Sequence, residues 1–397
     1  MKKKNLLFVM PSLSAGGGEK SLVNLLSHLN YEEYNVDLFL FSKNGVFLNL
    51  LPIEVNLLES KKNHIVFSNS LKNSVTNFLK MGQYKLAYSR LMFTLLNRVI
   101  KSPAISEQYT WKYQSKSIDM LDKEYDIAIG YLEKSSIYFV VDKVKSKKKI
   151  GWVHTNYTNS GMDYKFDNFY FNKLDHIITV SQECANALKI TFPHIKNKVR
   201  VIYNIVSPNI IESLSNEEIQ DNHLFNKNCT NIVTVARLSN EKGLDLAIRS
   251  CKLLIEKGYH IKWYVLGDGN EREKLASLIN NIGVKNHFIL LGIKSNPYPY
   301  IKKSDIYVQP SRYEGKSIAI DEAKILGKPI ILTNFKTAKD QIYNGINGLI
   351  VGLSEEEITL GIEELIQNEN CKNNLVTNLR KEKLGTEEEI NKLYEIF

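Results

Sequence analysis

The sequence has no run of 18 or more apolar residues, so it offers nothing that reads as a membrane-spanning helix. It has four cysteines, Cys184, Cys229, Cys251 and Cys371, and none belongs to a C-x-x-C pair, so neither a disulfide framework nor a zinc cluster is signalled. A reducing cytoplasm is the expected compartment. Glycine and proline, 21 and 9 of 397 residues, are too sparse for a collagen-like or low-complexity chain, and 43% apolar with 24% charged residues excludes disorder. The opening Met1-Lys2-Lys3-Lys4 has the charge of a signal peptide, but Leu6–Met10 runs into Gly16-Gly17-Gly18-Glu19 with no small-residue cleavage site, so secretion is not expected. No D-x-D triplet occurs.

What is present is enough chain for two or three domains, at roughly 100–200 residues each. The net charge of +9 is unevenly spread: residues 1–205 hold 28 Lys+Arg against 17 Asp+Glu, net +11, and residues 206–397 hold 24 against 26, net −2. Most of the excess lies between Ser60 and Ser106, where Lys61, Lys62, Lys72, Lys80, Lys85, Arg90, Arg98 and Lys101 occur with no acidic residue. An anionic partner is expected to meet this stretch.

Short runs rich in Val, Ile, Phe and Tyr alternate with amphipathic stretches, the pattern of βαβ units and parallel sheets. Strands are predicted at 5–10, 36–41, 126–131, 149–154, 176–180 and 199–203, and again at 232–235, 261–266, 288–291, 306–309, 329–332 and 349–351. Helices fit at 243–256, 270–281, 318–326 and 355–367. The polar, Asn-rich stretch from Glu212 to Asn231 is the best linker candidate. The fold class expected is α/β, two Rossmann-like doubly wound domains facing a cleft: residues 1–205 with a basic, aromatic insert at 60–106, residues 206–386, and a final helix over 387–397 that either packs back on the first domain or caps the second.

Three glycine-bearing segments invite phosphate chemistry. Ser14-Ala15-Gly16-Gly17-Gly18-Glu19-Lys20-Ser21 turns from a strand into a helix carried by Leu22, Leu25, Leu26 and Leu29, which lets backbone N–H groups approach an anion. It is not a Walker A loop, because Glu19 stands where a glycine must precede the lysine. Gly315-Lys316-Ser317 fails the same test, with Pro310 five places before Gly315. Gly267-Asp268-Gly269 fails as a dinucleotide fingerprint because Arg272 occupies the third glycine position, which argues against a nicotinamide enzyme.

Two other segments carry more. Ser311-Arg312-Tyr313-Glu314-Gly315-Lys316-Ser317-Ile318-Ala319-Ile320-Asp321-Glu322-Ala323 places Glu314 in a loop at a strand's carboxyl end and Glu322 eight positions on, in the following helix. Carboxylates accept charge-assisted hydrogen bonds from adjacent sugar or ribose hydroxyls; the plain alternative for Glu322 is a solvated helix residue. Arg237-Leu238-Ser239-Asn240-Glu241-Lys242-Gly243 follows a strand with two cations five apart, a bidentate fork and a point charge suited to a diphosphate. Ordinary surface cations would read the same.

Taken in order, the glycine-rich loop, R-L-S-N-E-K-G, G-D-G-N-E-R-E-K-L and P-S-R-Y-E-G-K-S-I-A-I-D-E-A resemble glycosyltransferase family 4, retaining nucleotide-sugar transferases of the GT-B fold. The resemblance spans nearly the whole chain, strongest over 231–351 and weak over 43–147. It implies that Arg237 and Lys242 hold the donor diphosphate, that Glu322 binds the ribose hydroxyls and Glu314 the transferred sugar, and that Gly16, Gly17 and Gly18 approach from the other domain. Gly267, Gly315, Lys316, Ser317 and Ile318 would line the donor side. His154, closing Gly151-Trp152-Val153-His154, matches a histidine near the transferred sugar, and Asn204 matches the interdomain hinge. Where relatives place an aromatic or apolar residue after the Glu-Gly pair, this chain has Lys316-Ser317, so Lys316 becomes a further candidate phosphate contact.

The implied reaction is transfer of a hexose or N-acetylhexosamine, from a donor expected to be UDP-linked, to a glycan hydroxyl, with no cofactor and with cations rather than a metal neutralising the leaving diphosphate. In the insert, Phe67, Phe78, Tyr84, Tyr88, Leu91, Phe93 and Leu95 interleave with the cations, as a helix would that lies peripherally on the inner face of a cell membrane. The acceptor expected is then a lipid-linked saccharide in surface polysaccharide biosynthesis. No nucleic-acid reader motif accompanies the basic stretch. The rival readings are a non-catalytic sugar-nucleotide-binding partner of another transferase, and an epimerase or phosphorylase of the same fold.

Overall fold

In a computed structural model, described over residues 3–14, 16–219, 224–225 and 228–397, the chain forms two compact units. One comprises Met1–Ser14, Gly18–Tyr203 and Ile390–Phe397, and the other Asn204–Glu389 together with Ala15–Gly17.

The first unit runs β1 (Lys4–Met10), α1 (Gly17–Leu26), β2 (Tyr34–Leu40), β3 (Val55–Leu57), then four consecutive helices, α2 (Lys62–Ser68), α3 (Leu71–Lys80), α4 (Tyr84–Val99) and α5 (Pro103–Gln114). It continues with β4 (Tyr125–Gly130), α6 (Ser135–Lys143), β5 (Ser146–Val153), α7 (Tyr164–Phe171), β6 (His176–Thr179), α8 (Gln182–Thr191) and β7 (Val199–Val201). The sheet is parallel throughout, in the order β3-β2-β1-β4-β5-β6-β7. The centre of this sheet is buried, which is why Leu6–Met10 is one unbroken apolar run rather than an alternating one. The short edge strand β3 escapes sequence reading because its pattern, Val-Asn-Leu, is only three residues long.

The second unit opens with α9 (Pro208–Leu214) and continues β8 (Thr230–Val235), α10 (Leu244–Glu256), β9 (Ile261–Leu266), α11 (Arg272–Asn281), β10 (Phe288–Gly292), α12 (Tyr298–Lys303), β11 (Ile306–Gln309), α13 (Ile318–Ile325), β12 (Ile330–Thr333), β13 (Leu349–Val351), α14 (Glu355–Gln367) and α15 (Glu369–Leu379). Its sheet is again all parallel, in the order β10-β9-β8-β11-β12-β13. Both sheets are therefore doubly wound, and in each the strand order reverses at one place: between β1 and β4, and between β8 and β11. Ligands of such sheets bind outside the carboxyl ends of the strands at that reversal.

Two expectations need correction. The stretch from Glu212 to Asn231 is not a free linker: α9 reaches Leu214, and Ile219, Leu224 and Phe225 pack on the second unit's core against Tyr264, Tyr300 and Tyr307. These apolar residues are enough to dock a polar segment; Asp221, Asn222 and Asn226 lie outside the described residues. The unit boundary falls at Tyr203/Asn204, where Thr386 donates to the Asn204 carbonyl. The final helix, α16 (Glu389–Ile396), packs on the first unit, with Leu393 fully buried, Tyr394 stacked on Tyr34 and the Tyr394 hydroxyl accepting from the Asn30 amide.

Candidate functional site

In the second unit, β8 leads into Arg237–Gly243 and β11 into Ser311–Ser317, so the two segments singled out from the sequence leave adjacent strands at the reversal point. Their backbones are pressed together. Gly243 has φ +63°, and a Cβ there would stand 2.0 Å from the Pro310 carbonyl oxygen, so only glycine fits. Arg312 adds a bidentate pair to Asp245 at 2.8 and 2.7 Å and also donates to the Asn240 carbonyl, tying the β11 loop to the start of α10. The Asp245 carboxyl is half-buried, which alone would raise its pKa, but the Arg312 guanidinium outweighs this and holds it below the usual range.

Lys242 and Glu314, assigned by resemblance to diphosphate and sugar, meet directly: Lys242 Nζ lies 2.6 Å from Glu314 Oε2. The other carboxylate oxygen, Oε1, accepts from Ser311 Oγ at 2.7 Å and from Gln309 Nε2 at 3.2 Å. Gln309 is fixed in turn by the Tyr307 hydroxyl, which donates to its Oε1 at 2.7 Å. A buried chain of donors thus holds Glu314 in one rotamer, and a ligand diphosphate reaching Lys242 must compete with a carboxylate. Glu322 on α13 is 1% exposed and accepts from the Tyr298 hydroxyl at 3.1 Å, which rules out the solvated-helix alternative. Burial, then the charges of Glu322 and Glu314, push the Tyr307 hydroxyl well above the usual tyrosine range, so both carboxylates bear on one buried phenol.

Other expected contacts are differently occupied. The Lys316 ammonium is 3.5 Å from Asp321, and the Ser317 amide donates to Gln341 Oε1. Ile318 is buried at the start of α13, directly after Gly315–Ser317. Gly267, with φ +141°, would bring a Cβ within 2.0 Å of the Ala236 carbonyl, so it buttresses the β8 loop. Arg237 is exposed just after β8; its carbonyl accepts from the Ser239 amide at 3.0 Å, and its side chain makes no hydrogen bond or ion pair among the described residues. A separate hollow of about 630 Å³, lined among others by Asn334, Lys339, Tyr343 and Gly352, includes none of the expected residues.

The reversal point of the first sheet carries its own cluster. Gly16 is buried, Gly17 and Gly18 open α1, and Ser21 on that helix shares a 2.8 Å hydrogen bond with Tyr131, the residue after β4. His154, just after β5, stacks near Trp152 and Tyr131. Burial, partly offset by a hydrogen bond to the Tyr131 backbone, pulls its imidazole down to about 3, so it is neutral at ordinary pH. Its amide donates to Glu133 at 3.1 Å, while His154 Nε2 and Trp152 Nε1 are buried without a partner among the described residues. Such a group suits hydrogen bonding to a hydroxyl, not proton donation as an imidazolium.

Sequence reasoning missed Gln309, Tyr298, Gln341 and Tyr131. Gln309 was within reach, as a polar residue ending an otherwise apolar strand; Tyr298 and Gln341 act through tertiary contacts that leave no local signal.

The insert is not a row of outward aromatics. Phe67, Phe78 and Ala87 form a small core of their own, with Phe93 packed on it. Arg90 lies over the Phe67 and Phe93 rings and donates to the Asn69 carbonyl, so it faces inward.

Comparison with known proteins follows this division. Residues 215–382 match the family model described as glycosyl transferases group 1. An uncharacterized glycosyltransferase of Methanocaldococcus jannaschii is 34% identical over 176 residues, 44% of this chain and 43% of the relative, and a second from the same organism is 26% identical over 54% of its length. The chain thus spans about half the length of these curated relatives. A Campylobacter jejuni N-acetylgalactosamine-N,N'-diacetylbacillosaminyl-diphospho-undecaprenol 4-alpha-N-acetylgalactosaminyltransferase is 21% identical over 91% of this chain and 90% of its own. Among solved structures, Anabaena HepE in complex with UDP-glucose superposes with a TM-score of 0.71 at 15% identity, covering 99% of both chains. Staphylococcus aureus TarM in complex with UDP gives 0.68 at 14% identity, again over 99% of both. The chain has the GT-B glycosyltransferase fold, and its second unit carries the likeness to glycosyl transferases group 1.

Proposed function

We propose that this protein is a retaining glycosyltransferase that moves a hexose or N-acetylhexosamine from a UDP-sugar to a glycan hydroxyl, on a lipid-linked acceptor in surface polysaccharide biosynthesis. The observation that carries the reading is the pairing of Lys242 with Glu314, beside buried Glu322, at the β8/β11 reversal of the matched segment. Breaking the anomeric C–O bond develops negative charge on the departing diphosphate, and cations already fixed in place stabilise that charge without reorganising. Lys242 is held by Glu314, and Arg237 is exposed just after β8. Glu322 would accept from ribose hydroxyls and Glu314 from the sugar. With lysine and arginine countering the leaving group, no metal is required. His154, neutral, would hydrogen-bond a sugar hydroxyl. The acceptor hydroxyl would attack from the face the diphosphate leaves, giving its proton to that phosphate.

The UDP and lipid-linked parts draw on the relatives: HepE and TarM are described with UDP, and the Campylobacter enzyme acts on a diphospho-undecaprenol saccharide. The deciding experiment supplies a UDP-sugar with and without a lipid-linked saccharide acceptor and measures UDP. Release that requires acceptor and persists in EDTA supports transfer. Conversion of the donor sugar without acceptor would indicate an epimerase, and binding without turnover a catalytically silent partner.

A further inference from the structure

The structure assigns a docking face to α4: we propose that it lies along an anionic membrane surface through one stripe of side chains. Five large apolar residues on this helix are exposed, Tyr84, Tyr88, Leu91, Leu95 and Val99, each between 47% and 70%. Their spacing, i, i+4, i+7, i+11 and i+15, places them within about 80° of helix circumference at 3.6 residues per turn, over roughly 22 Å of length. A soluble helix ordinarily turns that stripe inward. Here the inward face is already filled, because Ala87 is buried in the Phe67/Phe78 core and Phe93 packs on it. The five exposed residues are surplus to the fold.

Charge identifies the occupant. On the same helical wheel Lys85 and Arg98 stand just outside the stripe, one on each side, and both are exposed. Lys62, Lys72, Lys80 and Lys101 are exposed as well, and none of these six cations has a salt bridge among the described residues. No carboxylate occurs between Glu59 and Glu107 to neutralise them. An apolar stripe flanked by unpaired cations fits the boundary between acyl chains and anionic headgroups: Leu and Val enter the acyl region, Tyr rings sit at the interface, and each nearby cation contributes about 1 kcal/mol. A second copy of this chain fits poorly, because a twofold contact through α4 would bring Lys85 and Arg98 of both copies together without an acidic counterpart. Arg90 contributes nothing to the face, being held over Phe67 and Phe93.

The test sediments the full chain with phosphatidylcholine vesicles, with and without phosphatidylglycerol. The wild type is expected to pellet with the anionic vesicles, to stay largely in solution with the neutral ones, and to release as salt rises. Leu91→Glu/Leu95→Glu should weaken partitioning roughly tenfold or more, since each apolar contact becomes a repelled charge. Lys85→Glu/Arg98→Glu should remove the preference for phosphatidylglycerol. Each variant is checked for an unchanged melting temperature, and Tyr84→Ala/Tyr88→Ala serves as a milder second test of the stripe. Equal pelleting with both lipids, wild-type partitioning of the Leu91/Leu95 variant, or a solution dimer that this variant dissolves would overturn the proposal, the last by giving the face to a second copy. UDP-sugar binding measured on the same variants keeps a failure of the docking face separate from a failure of the transferase reading.

Discussion

Lys242 and Glu314 show why a site has to be read as pairs. A lysine in a loop and a glutamate in another are unremarkable, yet at 2.6 Å, with Ser311 and Gln309 closing the other oxygen, they form a set whose members depend on one another. Lys242→Ala is expected to lower kcat roughly 10²–10³-fold, as loss of one preorganised charge at a developing oxyanion does. It also leaves Glu314 buried and unpaired, so stability falls too. Lys242→Met combined with Glu314→Gln should recover the melting temperature without recovering turnover; recovery of both would make the pair structural only. His154 offers a test by pH. Its folded-state pKa, about 3, is below the ordinary 6.5, so the unfolded chain takes up the proton first. Its contribution is full above about pH 6.5 and fades as pH falls towards 3. The stability difference between wild type and His154→Gln should therefore shift in the variant's favour from pH 7 to pH 5 in thermal melts, and a constant difference would contradict the buried neutral imidazole.

At the level of elements, the strands were the legible part. Ile261–Leu266 and Ile306–Gln309 fall where their apolar runs place them, because a parallel strand buried on both faces is a continuous hydrophobic word bounded by polar residues. The insert was legible as helical and basic, but not in its facing: periodicity alone cannot say that Phe67, Phe78 and Phe93 turn inward while Tyr84, Tyr88 and Leu91 do not. Gly243 gives a prediction at this scale. With φ +63° and Pro310 O only 2.0 Å from any added Cβ, Gly243→Ala should cost at least about 2 kcal/mol and separate the β8 and β11 loops. Denaturant melts and UDP-sugar affinity should fall together; loss of neither would mean that the two loops pack less closely than described.

For the molecule as a whole, the carboxylates were readable from E-x₇-E spacing, but what holds them was not. Tyr298 reaches Glu322 from 24 residues upstream, and Gln341 takes the Ser317 amide from 24 residues downstream, so both depend on the completed sheet. Both sheets bring candidate residues to a reversal of strand order, Gly18 after β1 in one and Lys242 with Glu314 after β8 and β11 in the other. On the proposed function, the β8/β11 reversal binds a nucleotide sugar. The most direct measurement is a thermal-shift panel of UDP-, GDP-, ADP- and TDP-sugars in EDTA, run on the wild type and on Glu322→Gln, since a ligand of the folded state raises its melting temperature as RT ln(1 + [L]/Kd). A shift selective for UDP-sugars that persists without metal and is lost in Glu322→Gln is expected. No shift with any nucleotide sugar, or an equal shift in Glu322→Gln, would contradict the proposed function.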